Sequence, residues 1–215
     1  MSRLPSLAEP QRGMPAGPAA PATPGESPKA AAVRLFAGFA GFGAGSVNLA
    51  MCSSFLAGAA GEPGPLHHAA AAVAGLWGAG LLAGTVVSLA KGRVPSGRGA
   101  LFVLATAAAL HVGAIAFATA ETSVLNLSQL TALLLTLIIS AAATWLRRFT
   151  AREQQGQVAA PAASGPGRLL LAAFAGAVLV AGITTPGLAA SAAGRYAVPH
   201  GQHGGNLQQE SHHGN

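Results

Sequence analysis

Five apolar runs, each about as long as a bilayer is thick and each free of Asp, Glu, Lys and Arg, constrain this chain more than anything else in it. They lie at about 35–59, 69–90, 100–120, 124–146 and 169–190. A helix needs ~20 apolar residues to cross hydrocarbon. In that solvent every backbone N–H and C=O must be satisfied within the chain, which leaves helices and closed barrels. Continuous runs, rather than alternating segments of ~10 residues, point to helices. The expected fold is all-α: a polytopic integral membrane protein, a bundle of five transmembrane helices with disordered N- and C-terminal tails. The expected organisation is a cytoplasmic tail over 1–30, a membrane domain over 31–192 and an outer, His-containing tail over 193–215.

Composition agrees with the bilayer as solvent. Only 8% of the residues are charged and 51% are hydrophobic, whereas a soluble domain is about 25% charged. The net charge of +6 would raise the question of nucleic acid in a soluble protein. Here the cations flank apolar runs and read as topology signals instead. Arg3, Arg12, Lys29 and Arg34 precede the first run; Lys91, Arg93 and Arg98 separate the second from the third; Arg147, Arg148, Arg152 and Arg168 flank the loop at 149–167. Only Arg195 falls on the other side, so eleven of the twelve basic residues share one face. That face is expected to be cytoplasmic, in a plasma membrane, with the C-terminus outside.

Residues 1–30, rich in Pro, Ala, Gly and Ser, are expected to be disordered. Residues 121–123 read as a tight turn joining helices three and four in an antiparallel hairpin. In the fifth run, Thr184-Thr185-Pro186-Gly187 is expected to break the helix. Ala190-Ser191-Ala192 then completes a layout like a secretory signal, with cleavage after Ala192 as one expectation. The small residues predict how the helices meet. Gly41 and Gly45 are four apart, as are Gly80 and Gly84, and such pairs let helix backbones approach closely. Gln129, Thr136, Ser140 and Thr144 form a polar stripe on helix four, expected to face protein rather than lipid. Asn48 in helix one belongs with them.

The histidines are the residues most suited to chemistry. His67 and His68 fall in the first outer loop, and His200, His203, His212 and His213 in the tail; His111 lies inside the third run. Neutral imidazole is a common ligand of Cu, Ni, Co and Zn, and a Gly-rich tail can wrap a cation. Met51 and Cys52, in the outer half of helix one, supply soft sulfur suited to Cu(I). These residues suggest a metal route from the tail past His67 and His68 to Met51, Cys52 and His111. The competing reading is that the sulfurs pack and the tail is simply solvated. In composition the tail resembles small bacterial cobalt or copper uptake components; the likeness covers about a tenth of the chain and carries no residue roles.

Other chemistry is disfavoured. There is no intramembrane carboxylate for a proton relay. One intramembrane histidine cannot supply both axial ligands of a haem. Gly43-Ala44-Gly45-Ser46 does not match a serine-protease elbow, and there is no HExxH or phosphate loop. The expected function is therefore transition-metal handling or uptake, without catalysis. The alternative is a non-catalytic accessory or assembly subunit. The expected partners are the lipid bilayer and other membrane subunits or further copies of the chain, and not nucleic acid.

Overall fold

A computed structural model describes residues 27–58, 64–119, 122–156 and 166–191. It is all-helical: α1 (Pro28–Leu56), α2 (Pro65–Ala90), α3 (Arg98–Ala116), α4 (Asn126–Gln154) and α5 (Pro166–Ala189), with a short 3-10 turn, Ser123–Leu125, before α4. Each of the five is long and apolar enough to cross a membrane.

The helix ends depart from the apolar runs for local reasons. Helix α1 starts at Pro28, seven residues before its run, and so includes Lys29 and Arg34. Proline suits a first helical position because its missing N–H has no partner there anyway, and Ala30–Ala32 are strong helix formers. Residues 28–30 are thus helical rather than tail. Helix α4 outlasts its run and carries Arg147, Arg148, Arg152 and Glu153 on its last turns. It stops where Gly156 takes a φ of +67°, a left-handed conformation that closes helices at low cost only for glycine. Gly92 closes α2 in the same way, at +61°. Helix α3 ends at Ala116, short of the end of its apolar run, and the 3-10 turn Ser123–Leu125 leads into α4; residue 121 of the expected turn lies outside the described residues.

The expected break at Pro186 is not found: Pro186 lies inside α5, which continues to Ala189. One missing N–H so near the C-terminus interrupts little of the hydrogen-bond ladder. The Gly187 carbonyl is instead held from outside the helix. Ser191 N–H turns to the Leu188 carbonyl, and Ser128 Oγ of α4 donates to Gly187 O at 2.7 Å.

Helix α1 is central. It packs against α2, α4 and α5, while α3 packs on α4 and α5 also touches α4. Its inward residues are small: Ala37, Ala40, Ala44 and Val47 are buried, with Met51 toward the far end. They meet Ala74, Leu104, Ala132, Leu135, Ile139 and Val180 in one core. Small side chains let the helix backbones approach closely at these crossings. The α1–α2 crossing runs through Gly41 against Thr85, and Gly45 against Leu82 and the Gly78 backbone. Across α1–α5, Gly43 meets Val180 and Thr184, and Phe36 meets Gly176.

These pairings make α1 antiparallel to α2 and parallel to α5, and α4 antiparallel to both α3 and α5. One consequence is that Lys29, Arg34, Lys91, Arg93, Arg98, Arg147, Arg148 and Arg152 gather at one end of the bundle, here called the basic end.

Candidate functional site: a cleft between α2 and α3

Helices α2 and α3 are barely in contact with each other. Between them a cleft runs along the bundle, floored by α1 and α4. It has two chambers that meet at Trp77 and Val103, residues lining both.

The chamber toward the basic end has a volume of about 350 Å³. Ala37, Gly38 and Gly41 form its floor, Gly80 and Gly84 part of one wall, and Arg34 reaches its end. Gly80 and Gly84 face open space, with nothing within 4 Å of where a Cβ would stand. The contact with α1 is made two residues earlier, by Gly78, where a Cβ would lie 2.8 Å from the Gly45 carbonyl oxygen. Of the two glycine pairs in the sequence, then, Gly41 and Gly45 lie in a helix crossing, and Gly80 and Gly84 lie on a cleft wall.

The chamber toward the opposite end has a volume of about 660 Å³ and holds the polar groups. Asn48, Met51, Thr106, His111 and Gln129 line it. Asn48 and Thr106 return their hydrogen bonds to their own helices, at Ala44 O and Phe102 O. His111, buried on α3, does not: its Nδ1–H donates to Gln129 Oε1 on α4 at 2.7 Å. That bond fixes the ring and leaves Nε2 as the nitrogen with a lone pair. The chamber extends to Leu66, Ala69 and Ala70 in the first turns of α2, where His67 and His68 also stand. His68 Nδ1–H donates to Gly64 O at 2.9 Å, which orients its ring in the same sense.

The structure therefore brings Met51, His111 and Gln129 to one chamber, whereas His67 and His68 stand on the first turn of α2 but do not line it. Cys52 is elsewhere. Its sulfur lies 3.0 Å from where a Gly75 Cβ would stand, in the α1–α2 contact, and it does not line the chamber. Among the described residues no three of His, Cys, Asp and Glu cluster as metal ligands. His200, His203, His212 and His213 lie outside the described residues, as do Arg195 and Ala192. Of the polar stripe on α4, Gln129 reaches another helix, whereas Thr136 and Ser140 bond back to Ala132 O and Thr136 O. Thr144 is half-buried on the same helix.

Three features were not singled out in the sequence. Arg34 lines the cleft, although in the sequence it reads only as a topology signal. Ser128 and Gly187 join α4 to α5. Trp77 buries its indole N–H without an acceptor among the described residues. No protein-family model, curated protein or solved structure matches this chain.

Proposed function

We propose that this is a multi-pass plasma-membrane protein that handles a transition metal, with the basic end in the cytoplasm and the histidine-bearing end outside. Five helices of spanning length and the collection of basic residues at one end support the topology. One observation supports the metal reading: Met51 and His111 line a single chamber, toward the end of the bundle where α2 begins with His67 and His68. Thioether and imidazole together suit Cu(I), and His-only coordination suits Cu(II), Ni(II), Co(II) or Zn(II). In this reading the tail histidines His200, His203, His212 and His213 capture the ion outside, and the chamber receives or senses it. No step makes or breaks a covalent bond in a substrate.

Isothermal titration of the purified full chain with Cu(II) and Ni(II) tests this. The expected result is at least micromolar affinity that weakens when residues 199–215 are removed. No heat above buffer, or equal affinity after truncation, removes the tail from the account.

A second reading is a non-catalytic accessory subunit. It is favoured by the apolar faces left uncovered on α2, α3 and α5, such as Leu76, Phe102 and Phe174, which lipid or another subunit would cover. Stoichiometric recovery of a partner in mild detergent, together with absence of metal binding, would select it.

A further inference from the structure

We propose that the chamber at the basic end binds an anionic phospholipid, with an acyl chain lying between α2 and α3 and the phosphate at Arg34. The proposal rests on the membrane insertion proposed above, and not on the metal reading.

Shape supplies the first argument. The chamber's volume of about 350 Å³ falls within the range of about 300–1,000 Å³ usual for small-molecule sites. Its walls are apolar apart from Thr85 and Ser88, and the missing side chains of Gly80 and Gly84 leave the width of the slot open. A chain entering it replaces lipid contacts with protein contacts along its length.

Charge supplies the second argument and selects the headgroup. Arg34 is the one ionic residue lining the slot. Its Nη1 lies 3.3 Å from where a Gly92 Cβ would stand, beside the α2–α3 loop. Lys91, Arg93 and Arg98 are exposed on that same loop and the first residue of α3. Basic pockets between helices on the cytoplasmic side suit anionic headgroups, and each cation near such a surface is worth about a fivefold preference. A zwitterionic lipid meets the same slot without that gain.

Trp77 lines the slot and is one of two tryptophans, so its fluorescence reports the occupant. The full chain carrying Trp145→Phe is placed in phosphatidylcholine vesicles containing a matched, increasing series of mole fractions of dibrominated phosphatidylglycerol or dibrominated phosphatidylcholine. The expected result is that the brominated phosphatidylglycerol quenches Trp77 at a mole fraction about fivefold lower. Arg34→Gln should abolish that preference, and Arg34→Lys should retain most of it. Gly84→Leu fills the slot and should weaken quenching by the anionic lipid. Equal quenching by both lipids, unchanged in Arg34→Gln, would mean bulk lipid only and overturn the site. Shielding of Trp77 from both lipids, with a Gly84→Cys variant cross-linking into dimers, would put a second copy in the cleft and also overturn it. Trp145, exposed on α4, separates these failures from failure of insertion: in a Trp77→Phe chain it is quenched by either lipid if the helices lie in the bilayer, and by neither if they do not.

Discussion

His111 Nδ1 and Gln129 Oε1 stand 2.7 Å apart and tie α3 to α4 inside the larger chamber. Helix α3 packs on α4 and scarcely on α2, so this bond sits where α3 is held. In membrane proteins such interhelical bonds contribute about 0.6 kcal/mol on average and about 1.7 at most. Removing one partner costs more, about 1–3 kcal/mol, because the other group is left unsatisfied. His111→Leu and Gln129→Leu should therefore each destabilise the bundle by about 1–2 kcal/mol, and the double variant by clearly less than the sum. Unfolding of the four proteins in mixed micelles measures this; strictly additive losses would mean the two residues are not coupled.

The glycines of α2 should split by position rather than by motif. At Gly78 a Cβ would lie 2.8 Å from the Gly45 carbonyl oxygen, which is backbone and cannot swing aside. Gly78→Ala should cost about 1–3 kcal/mol through overpacking. Gly84 has nothing within 4 Å, so Gly84→Ala should change stability by less than about 0.5 kcal/mol or raise it slightly. The same unfolding assay checks both, and equal losses would contradict the α1–α2 crossing described above.

The α4–α5 contact gives a third test. Ser128 Oγ satisfies the Gly187 carbonyl near the end of α5, and a Cβ at Gly187 would lie 2.7 Å from Thr131 side-chain atoms. Ser128→Ala should cost about 1 kcal/mol, and Gly187→Val should cost more, because both it and Thr131 are short and stiff at Cβ. Limited proteolysis between α4 and α5 should speed up in the same order.

The sulfurs should behave differently toward metal. Met51 lines the chamber with His111, whereas Cys52 packs toward Gly75. In a chain lacking residues 199–215, Met51→Leu and His111→Leu should each lower any remaining Cu(I) affinity by about tenfold or more, as loss of one ligand or of its oriented partner does. Cys52→Ser should leave it unchanged. Loss of binding only in Cys52→Ser would move the route to the α1–α2 contact.

Much of this arrangement can be read from the sequence, and the parts that cannot have physical reasons. Apolar runs free of charge mark the helices because lipid tolerates little else, but they do not mark helix ends. Arg34 and Arg147 continue their helices as readily as leucine does, since basic side chains are good helix formers. Pro186 reads as a break because its ring is costly within a helix, yet within a turn of the C-terminus the cost is small. A pair such as Gly80 and Gly84 identifies a helix face without saying what it meets. The stripe that meets α1 is Gly75, Gly78, Leu82, Thr85 and Leu89, whose two glycines stand three apart rather than four. His111 and Gln129 are each conspicuous as polar residues in apolar runs. Their pairing depends on the register between α3 and α4, which no local pattern carries.

The claim on which the rest depends is orientation, because histidines at the end opposite the basic residues can meet external metal only if that end faces out. A paired alkaline phosphatase and fluorescent-protein reporter, fused after Asn215 and separately within 157–165, measures it directly. The account predicts phosphatase activity without fluorescence at 215, and fluorescence without phosphatase activity at 157–165. Fluorescence at 215, or phosphatase activity at 157–165, would contradict it and place His67, His68 and the tail on the wrong side of the membrane for capture.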